Sequence, residues 1–265
     1  MNPNLFKVAR PAIGMIHVGA LPGTPAGRLP LRQIVAQAVI EARIYREAGM
    51  DGVAVENMHD VPYLRGTVGP EIVAAMAIIS QAVKAEFGGV TGMQILAAAN
   101  REAVAVALAS GLDWVRVEGF AFAHVADEGF INSCAAELLR YRKHIGAEHI
   151  QIWADIKKKH SSHAITADIS LGETAAAAEF MRADAVIVTG PATGHPPAPE
   201  DVVAAKAQTN LPVLLGSGVD KDNIRKFREV ADGFIVGSAC KQNGRWDQPL
   251  EAERVGEFLR AARCE

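Results

Sequence analysis

Short apolar runs alternate with longer amphipathic segments along the whole chain, which is the pattern of repeated βα units. The runs have strand length and lie near Ala12–Val18, Gly52–Glu56, Gly92–Ala97, Trp114–Glu118, Ile150–Ile156, Ala185–Thr189, Val213–Leu215 and Gly233–Val236. Eight equivalent units predict a closed (β/α)8 TIM barrel of the α/β class. The main alternative, an open doubly wound sheet, does not require eight of them.

The segments between these strands carry the signals of helices. They lie near Leu31–Ala48, Pro70–Phe87, Arg101–Ser110, Asn132–Ile145, Leu171–Arg182, Pro199–Gln208, Asp222–Val230 and Leu250–Ala262. Pro70 and Pro199 stand where a first-turn proline is tolerated, and Asp222 suits the N-cap position. The sequence therefore predicts a helix after every strand.

Length and composition limit the class of protein. The 265 residues are 49% apolar and show no change of composition, so we expect one barrel domain over residues 1–265. A formal net charge of −3 and the lack of a basic stripe argue against a nucleic-acid partner. The only cationic run, Lys157-Lys158-Lys159, is typical of a solvated loop.

Location and cofactors are predicted from what the sequence lacks. No apolar stretch reaches the roughly 18 to 20 residues of a membrane span, and residues 1–10 lack a signal-peptide core. The cysteines, Cys134, Cys240 and Cys264, are far apart and form no CxxC pattern. We therefore expect a cytoplasmic protein without integral membrane contact, disulfide, cofactor or metal. A homo-oligomer is compatible with the sequence.

Two glycine turns follow the seventh and eighth predicted strands. In a TIM barrel the loops at these places commonly form a phosphate site, because glycine lets backbone N–H groups approach an anion. We predict that the phosphate group of a small molecule binds to Gly216, Ser217, Gly218, Gly237 and Ser238. The alternative is a pair of structural turns without a ligand.

Strand alternation identifies the polar side chains that face the barrel axis. The outward aliphatic positions leave His17, Glu56, Arg116, Glu118, Asp155 and Lys157 facing inward. These residues stand at the carboxyl ends of their strands, where barrel enzymes carry catalytic groups. We therefore predict a catalytic ring of His17, Glu56, Glu118, Asp155 and Lys157 at the mouth. For His17, a structural hydrogen-bonding role is the alternative.

Carboxylates that share a buried pocket repel one another and lose solvation, so at least one of them has a raised pKa. Asp155 and Glu118, on adjacent strands, are the first choices for general acid/base catalysis, with Glu56 in the same ring. Lys157 is a candidate to stabilise an enolate or to form a Schiff base. We favour the first role, because nearby Asp155 keeps the amine protonated. The alternative is a structural ion-pair network that includes Arg116.

Further polar residues near the strand ends are predicted to contact the substrate. They are Asn57, Arg116, Thr189, Gly190, Thr193 and Lys241. Asn57 stands in a loop where turn chemistry is the alternative. The hydroxyls and amides of the loop that contains Thr189 and Thr193 suit a sugar or phosphate oxygen, although a rigid connector has the same composition. Lys241 can supply the counter-charge of the anion, and a surface lysine is the alternative.

Seven segments spread over nearly the whole chain together resemble the BtpA/SgcQ family. They are Gly14-Met15-Ile16-His17 with Leu21-Pro22-Gly23, Glu56-Asn57, Asp127-Glu128-Gly129, the run from Ala154 to His160, the run from Thr189 to Gly194, Gly216-Ser217-Gly218-Val219 and Gly237-Ser238-Ala239. One departure is Leu96-Ala97-Ala98-Ala99-Asn100, where a Val-Leu-Arg-Asn type of strand end is expected. The resemblance therefore carries over no substrate contact from an arginine there.

The resemblance implies a TIM barrel similar to the phosphate-binding barrels of tryptophan and histidine biosynthesis. One branch of the family is associated with photosystem I biogenesis at thylakoids, and SgcQ-like members resemble enzymes of carbohydrate metabolism. We therefore rank first an enzyme that acts on a phosphorylated sugar or similar small metabolite, by aldol cleavage or isomerisation. The second hypothesis is a non-catalytic assembly or stability factor whose pocket has become a binding surface.

Overall fold

Eight parallel strands close into a barrel in the computed structural model, which describes residues 5–190 and 195–263. Together with three short strands outside the barrel, the described residues form eleven strands, which are, in chain order, β1 (Ala12–His17), β2 (Gly52–Glu56), β3 (Val90–Gln94), β4 (Trp114–Val117), β5 (His124–Ala126), β6 (Gly129–Ile131), β7 (Gln151–Ile156), β8 (Ser161–Ser162), β9 (Ala185–Val188), β10 (Val213–Leu215) and β11 (Gly233–Val236). The barrel order is β1-β2-β3-β4-β7-β9-β10-β11, and β11 pairs with β1. The predicted barrel is confirmed.

Seven α-helices flank the barrel within the described residues. They are α1 (Leu31–Ala48), α2 (Pro70–Phe87), α3 (Asn100–Ser110), α4 (Ala135–His144), α5 (Leu171–Phe180), α6 (Pro199–Lys206) and α7 (Ala252–Arg263). Each lies within a few residues of a predicted helix. Pro70 and Pro199 each open a helix, where the missing N–H of proline costs no hydrogen bond.

The prediction of a helix over 222–230 is wrong, because this segment contains only a 3₁₀ turn, Ile224–Lys226. Oδ1 of Asp220 accepts hydrogen bonds from the N–H groups of Asp222 at 2.9 Å and Asn223 at 2.8 Å. Asp220 therefore caps the turn in place of Asp222. Such side chain to backbone bonds compete with helical ones, and the buried Phe227 lies three residues after the start of the turn, which fits a 3₁₀ period.

Apolar side chains fill the barrel below the mouth. The rings of Trp114 and Trp153 stack with their centroids 3.9 Å apart, and a Cβ on Gly92 would collide with the Trp114 ring. The interior cluster consists of Ile13, Met15, Ala54, Trp114, Trp153, Ala185, Ile187, Leu214 and Ile235. On β1, β2, β4 and β7, the members of this cluster alternate in step with the polar residues predicted to face the axis, so both sets point to the same side of each strand. The polar groups can therefore gather only at the mouth.

A three-stranded antiparallel sheet stands beside the mouth, and the sequence pattern did not predict it. β5 pairs with both β6 and β8. β5 and β6 lie in the loop after β4, whereas β8 lies in the loop after β7, so both loops leave the carboxyl ends of barrel strands. Strands of three and two residues are too short to show an alternating pattern.

Candidate active site

A cavity of about 390 Å³ opens at the carboxyl ends of the barrel strands. Its walls come from the ends of β1 to β4, from the loops after β2, β7, β10 and β11, from the hairpin that joins β5 and β6, and from the first turn of α7. This is the face on which TIM-barrel enzymes carry their catalytic groups. The cavity is therefore the candidate active site.

Glu56 and His17 stand side by side in the cavity, because the register of β1 and β2 pairs them. Oε2 of Glu56 lies 3.5 Å from Nε2 of His17, and Nδ1 of His17 lies 3.2 Å from the carbonyl oxygen of Trp246. Burial, assisted by the positive charge of Lys241, lowers the pKa of His17 to about 3. The neutral ring donates its Nδ1–H to Trp246 and turns an unprotonated Nε2 toward Glu56. Burial also raises the pKa of Glu56.

The pH dependence of the free energy of unfolding should show that His17 is neutral in the folded protein. Its pKa of about 3 in the folded state lies below the ordinary value of 6.5, so between these values only the unfolded chain takes up the proton. The stability from this group is complete above pH 6.5 and is lost as the pH falls, by up to about 1.4 kcal/mol per pH unit. We expect His17→Gln to remove this slope in urea unfolding between about pH 7 and about pH 4.5. Parallel curves for the two proteins would contradict a buried neutral His17.

Arg116 and Asp155 form a buried ion pair at the base of the cavity. Nε of Arg116 lies 3.1 and 3.0 Å from the two carboxylate oxygens, and Nη2 lies 2.9 Å from Oδ1. Nη2 also donates to the carbonyl oxygen of Gly216 at 2.8 Å. The side chain of Asp155 is 1% exposed and does not line the cavity, whereas Arg116 does. Asp155 therefore faces Arg116 and not the cavity, and its acid/base role stays a prediction.

Glu118 is held at the cavity wall by two donors. Oε1 accepts a hydrogen bond from Nζ of Lys158 at 3.1 Å, and Oε2 accepts one from the N–H of Ala98 at 2.9 Å. Of the ion-pair network that the sequence offered as the alternative, the structure contains two separate pairs, with Lys158 in the place expected for Lys157. Glu56 differs from Glu118 in that it lies beside a neutral histidine, His17, and pairs with no lysine or arginine among the described residues.

Lys157 does not line the mouth, contrary to the prediction. Its φ of +45° is left-handed, so the strand alternation ends at Ile156. Nζ of Lys157 donates to the carbonyl oxygen of Thr166 at 3.0 Å. The next two residues, Lys158 and Lys159, line the cavity in its place. Alternation predicts side-chain direction only as far as the strand continues.

The two glycine turns meet at one wall of the cavity. Ser217, Gly218, Gly237 and Ser238 line this wall, and Gly216 lies behind it. No protein acceptor among the described residues takes the backbone N–H of Gly218 or of Ser238. Gly218 has a left-handed φ of +82°, and an added Cβ would collide with the backbone of a neighbouring loop. Open N–H groups on a close backbone suit an anion, and the phosphate role stays a prediction.

Lys241 does not supply the counter-charge at this wall. Its ammonium pairs with Glu41 of α1 at 3.1 Å, its side chain is 2% exposed, and it does not line the cavity. The 3₁₀ turn Ser238–Cys240 redirects the chain after the second glycine turn, so Lys241 faces the helix layer. The predicted substrate contact of Lys241 is therefore wrong in its placement.

Asn57 has a structural position and does not line the cavity. Its Nδ2 donates to Oδ2 of Asp60 at 2.9 Å, and its Oδ1 accepts a hydrogen bond from the N–H of Leu96 at 2.7 Å. The residue is 1% exposed, so a substrate in the cavity does not reach it. The side chain of Asn57 therefore ties the loop after β2 to the residues that follow β3, which is a structural role.

The loop after β9 supports the site from outside the cavity. Oγ1 of Thr189 accepts a hydrogen bond from the N–H of Lys159 at 3.1 Å, so Thr189 braces the lysine turn. Gly190 packs against the backbone of His195, where a Cβ would collide. Neither Thr189 nor Gly190 lines the cavity. Thr193 lies outside the described residues.

Arg254 is a candidate that the sequence analysis missed. It stands in the first turn of α7 and lines the cavity. Its Nε donates to the carbonyl oxygen of Ala239 at 2.9 Å, which holds the guanidinium against the second glycine turn. A planar guanidinium matches the geometry of a phosphate group. The helical pattern alone does not separate such an arginine from a solvated one, so its only sequence signal is its position after the second glycine turn.

Two cavity oxygens have no hydrogen-bond partner in the described part of the chain: Oε1 of Gln94 and Oε2 of Glu128. Gln94 ends β3 and is 3% exposed, and Glu128 stands at the tip of the hairpin that joins β5 and β6. Buried acceptors without donors are costly, so a donor group that reached either oxygen would be stabilising. Hydroxyl groups are donors of this kind.

A model of the BtpA family matches residues 8–264 of the chain, which confirms the resemblance seen in its motifs. An uncharacterized protein of Caenorhabditis elegans, named as mitochondrial, is 50% identical over 262 residues, with 97% of this chain and 94% of the relative covered. The photosystem I biogenesis protein BtpA of Synechocystis sp. is 32% identical over 257 residues, with 97% and 89% covered. The solved structure of thiamine phosphate pyrophosphorylase from Pyrococcus furiosus has a TM-score of 0.57 at 16% identity, with 96% of each chain covered, and shares the fold.

Among the helices of the described residues, none combines the length and the apolar character that crossing a membrane requires. Within the same ranges, no three side chains of His, Cys, Asp or Glu are grouped so that they could hold a metal ion. The cytoplasmic location and the lack of a cofactor stay predictions.

Proposed function

Since the chain belongs to the BtpA family, we propose that its barrel is an enzyme that acts on a phosphorylated sugar or a similar small metabolite. One observation carries the proposal: a single cavity has open backbone N–H groups beside an arginine on one wall and a buried carboxyl group beside a neutral imidazole on another. Gly218, Ser238 and Arg254 belong to the first wall, and Glu56 and His17 belong to the second. This division lets an enzyme hold its substrate by the phosphate while a proton moves at a carbon farther along.

Glu56 is the group to which we assign proton transfer. Burial raises its pKa, so the carboxyl group takes and gives a proton more readily near neutral pH. Removing a proton from a carbon next to a carbonyl leaves negative charge on the carbonyl oxygen. Arg116, which Asp155 holds in place, lines the same cavity and can stabilise that charge. Isomerisation and aldol cleavage both create such an enolate, so the site suits either reaction.

The remaining wall favours a polyhydroxy skeleton. The unpaired oxygens of Gln94 and Glu128 need donors, and the carboxylate of Glu118 is oriented by Lys158 and Ala98. A sugar phosphate supplies hydroxyl donors along its chain and an anion at its end. This combination supports a sugar phosphate over an apolar phosphate ester.

Phosphate recognition is tested with two arginines of one helix. Arg254→Met removes the cation beside the second glycine turn, and Arg260→Met removes an exposed arginine from the same helix. We expect triose, pentose or hexose phosphates, and not the free sugars, to raise the melting temperature of the wild type. Arg254→Met should weaken this binding about 10- to 100-fold through the loss of charge-assisted hydrogen bonds. Arg260→Met should leave it unchanged. Equal shifts with phosphorylated and free sugars would refute the site.

A non-catalytic assembly or stability factor is the second candidate. The observation that favours it is the name of the Synechocystis relative, a photosystem I biogenesis protein that is 32% identical to this chain. In such a factor the cavity would bind a ligand or a partner without turnover. Binding of sugar phosphates without any exchange of their carbon-bound protons with solvent would favour this candidate over the enzyme.

A further inference from the structure

Lys159 differs from its neighbour in what its ammonium group contacts. Nζ of Lys159 donates to Oγ of Ser217, in the first glycine turn, at 3.1 Å. Nζ of Lys158 instead pairs with the carboxylate of Glu118, also at 3.1 Å. Lys159 makes no ion pair within the ranges that the structure describes. Its amine therefore enters the cavity without a carboxylate in contact to keep it protonated.

The fold holds this amine in place and disfavours its charge. The left-handed φ of Lys157 directs Lys159 into the cavity, and the N–H of Lys159 is anchored on Oγ1 of Thr189 at 3.1 Å. Burial, assisted by the positive charge of Arg116, lowers the pKa of Lys159 to about 8. About a tenth of the Lys159 side chains are then neutral at pH 7, and the neutral amine is the nucleophilic form.

We propose that Lys159 forms an imine with the carbonyl carbon of a phosphorylated aldehyde or ketone. This inference rests on the proposed function, because the phosphate site must hold the substrate beside the amine. Lys159 contacts Ser217 of the glycine turn itself. The carbonyl group must therefore lie near the phosphate end of the molecule. The substrate class narrows to compounds whose carbonyl carbon is bonded to the carbon that carries the phosphate ester.

The step balances without an added oxidant or reductant. The neutral amine of Lys159 gives its lone pair to the carbonyl carbon, the C=O π electrons move to oxygen, and a proton passes from nitrogen to oxygen. A second proton, from the carboxyl group of Glu56, lets that oxygen leave as water while the nitrogen lone pair closes the C=N bond. The protonated imine then accepts the electron pair that is left when an adjacent C–H or C–C bond breaks.

Reductive trapping tests this inference directly. The wild-type protein is incubated with glycolaldehyde phosphate and sodium cyanoborohydride near neutral pH, and the reduced adduct is located by peptide mass mapping. We expect Lys159 to carry at least about tenfold more label than Lys158 or any surface lysine, because a lower pKa increases the neutral fraction. Lys159→Arg should abolish this label while keeping the charge, whereas Lys158→Arg should retain it. Free glycolaldehyde should label Lys159 less, since it lacks the phosphate.

Thermal stabilisation by glycolaldehyde phosphate separates the failure of this inference from the failure of the proposed function. Stabilisation that is lost in Arg254→Met, without label on Lys159, would overturn the imine and leave the phosphate site standing. Label spread evenly over the surface lysines would also overturn the imine. Neither stabilisation nor label would remove both proposals. If Lys159→Arg fails to fold, the position of the label in the wild type decides the question alone.

Discussion

Replacing Glu56 by glutamine is expected to slow the exchange of a carbon-bound substrate proton with solvent by about a hundredfold or more. The amide has nearly the shape of the carboxyl group but neither takes nor gives a proton at neutral pH. The anion-binding wall is unchanged, so KM should stay close to that of the wild type while kcat falls. The measurement follows the loss of the C–H signal by NMR in D₂O, with a sugar phosphate that stabilises the wild type.

The control for this substitution is Glu229→Gln. Glu229 pairs with Arg10 on the surface and lies outside the cavity, so its loss should leave the exchange rate unchanged. Glu118→Gln tests the alternative that Glu118 is the acid/base group, because Glu118 is the other carboxylate that lines the cavity next to the barrel strands. Wild-type exchange in Glu56→Gln together with a large loss in Glu118→Gln would transfer the acid/base role to Glu118.

Replacing Asp155 by asparagine is expected to destabilise the whole fold. The carboxylate is 1% exposed and takes three hydrogen-bond contacts from Arg116, whose side chain is 8% exposed. Removing one charge of a buried pair leaves the other without compensation, which typically costs about 3 to 5 kcal/mol. For a domain of this size the melting temperature should fall by roughly ten degrees. Thermal unfolding followed by circular dichroism measures the effect.

A double substitution separates the buried charge from the loss of packing. Arg116→Met with Asp155→Leu removes both charges and keeps apolar volume, so it should be more stable than Asp155→Asn alone. Wild-type stability in Asp155→Asn combined with a large loss of turnover would contradict the structural role and restore Asp155 as an acid/base group.

The fold was predictable because its signals are local and repeated. Each barrel strand is a short apolar run followed by an amphipathic segment, and eight of them leave few alternatives to a closed barrel. The prediction of a helix at 222–230 was wrong because Asp220 and Asn223 make hydrogen bonds from side chain to backbone, which helix propensities do not include. The small sheet beside the mouth was missed for another reason: its strands are too short to show an alternation of apolar and polar residues.

The candidate site was predictable only as far as the strands extend. Alternation placed His17, Glu56 and Arg116 at the cavity, because the pleat fixes the direction of each side chain. It placed Lys157 wrongly, because the left-handed φ of Lys157 itself ends the alternation of side-chain directions just after β7. Lys241 was misplaced because sequence distance from the glycine turn does not specify the direction in which the chain leaves it.

The remaining features of the site depend on contacts between residues that are far apart in the sequence. Arg254 reaches the cavity from the last helix, and Glu128 reaches it from a hairpin, so neither has a local signal of its role. The sequence allowed the prediction that several charged side chains face the barrel axis, and a pair between Arg116 and Asp155 is one of the arrangements that these charges can take. Which carboxylate takes the guanidinium depends on the register of β4 and β7, and our proposal that Glu56 transfers the proton follows from that pairing.

The central claim is that the two glycine turns and Arg254 hold a phosphate group opposite Glu56. A crystal structure of the protein with inorganic phosphate tests it most directly. We expect the anion inside the cavity, with its oxygens accepting hydrogen bonds from the N–H groups of Gly218 and Ser238 and from the guanidinium of Arg254. Crystals of Arg254→Met under the same conditions should lack it. A cavity without phosphate, or phosphate found only elsewhere on the wild-type surface, would contradict the account.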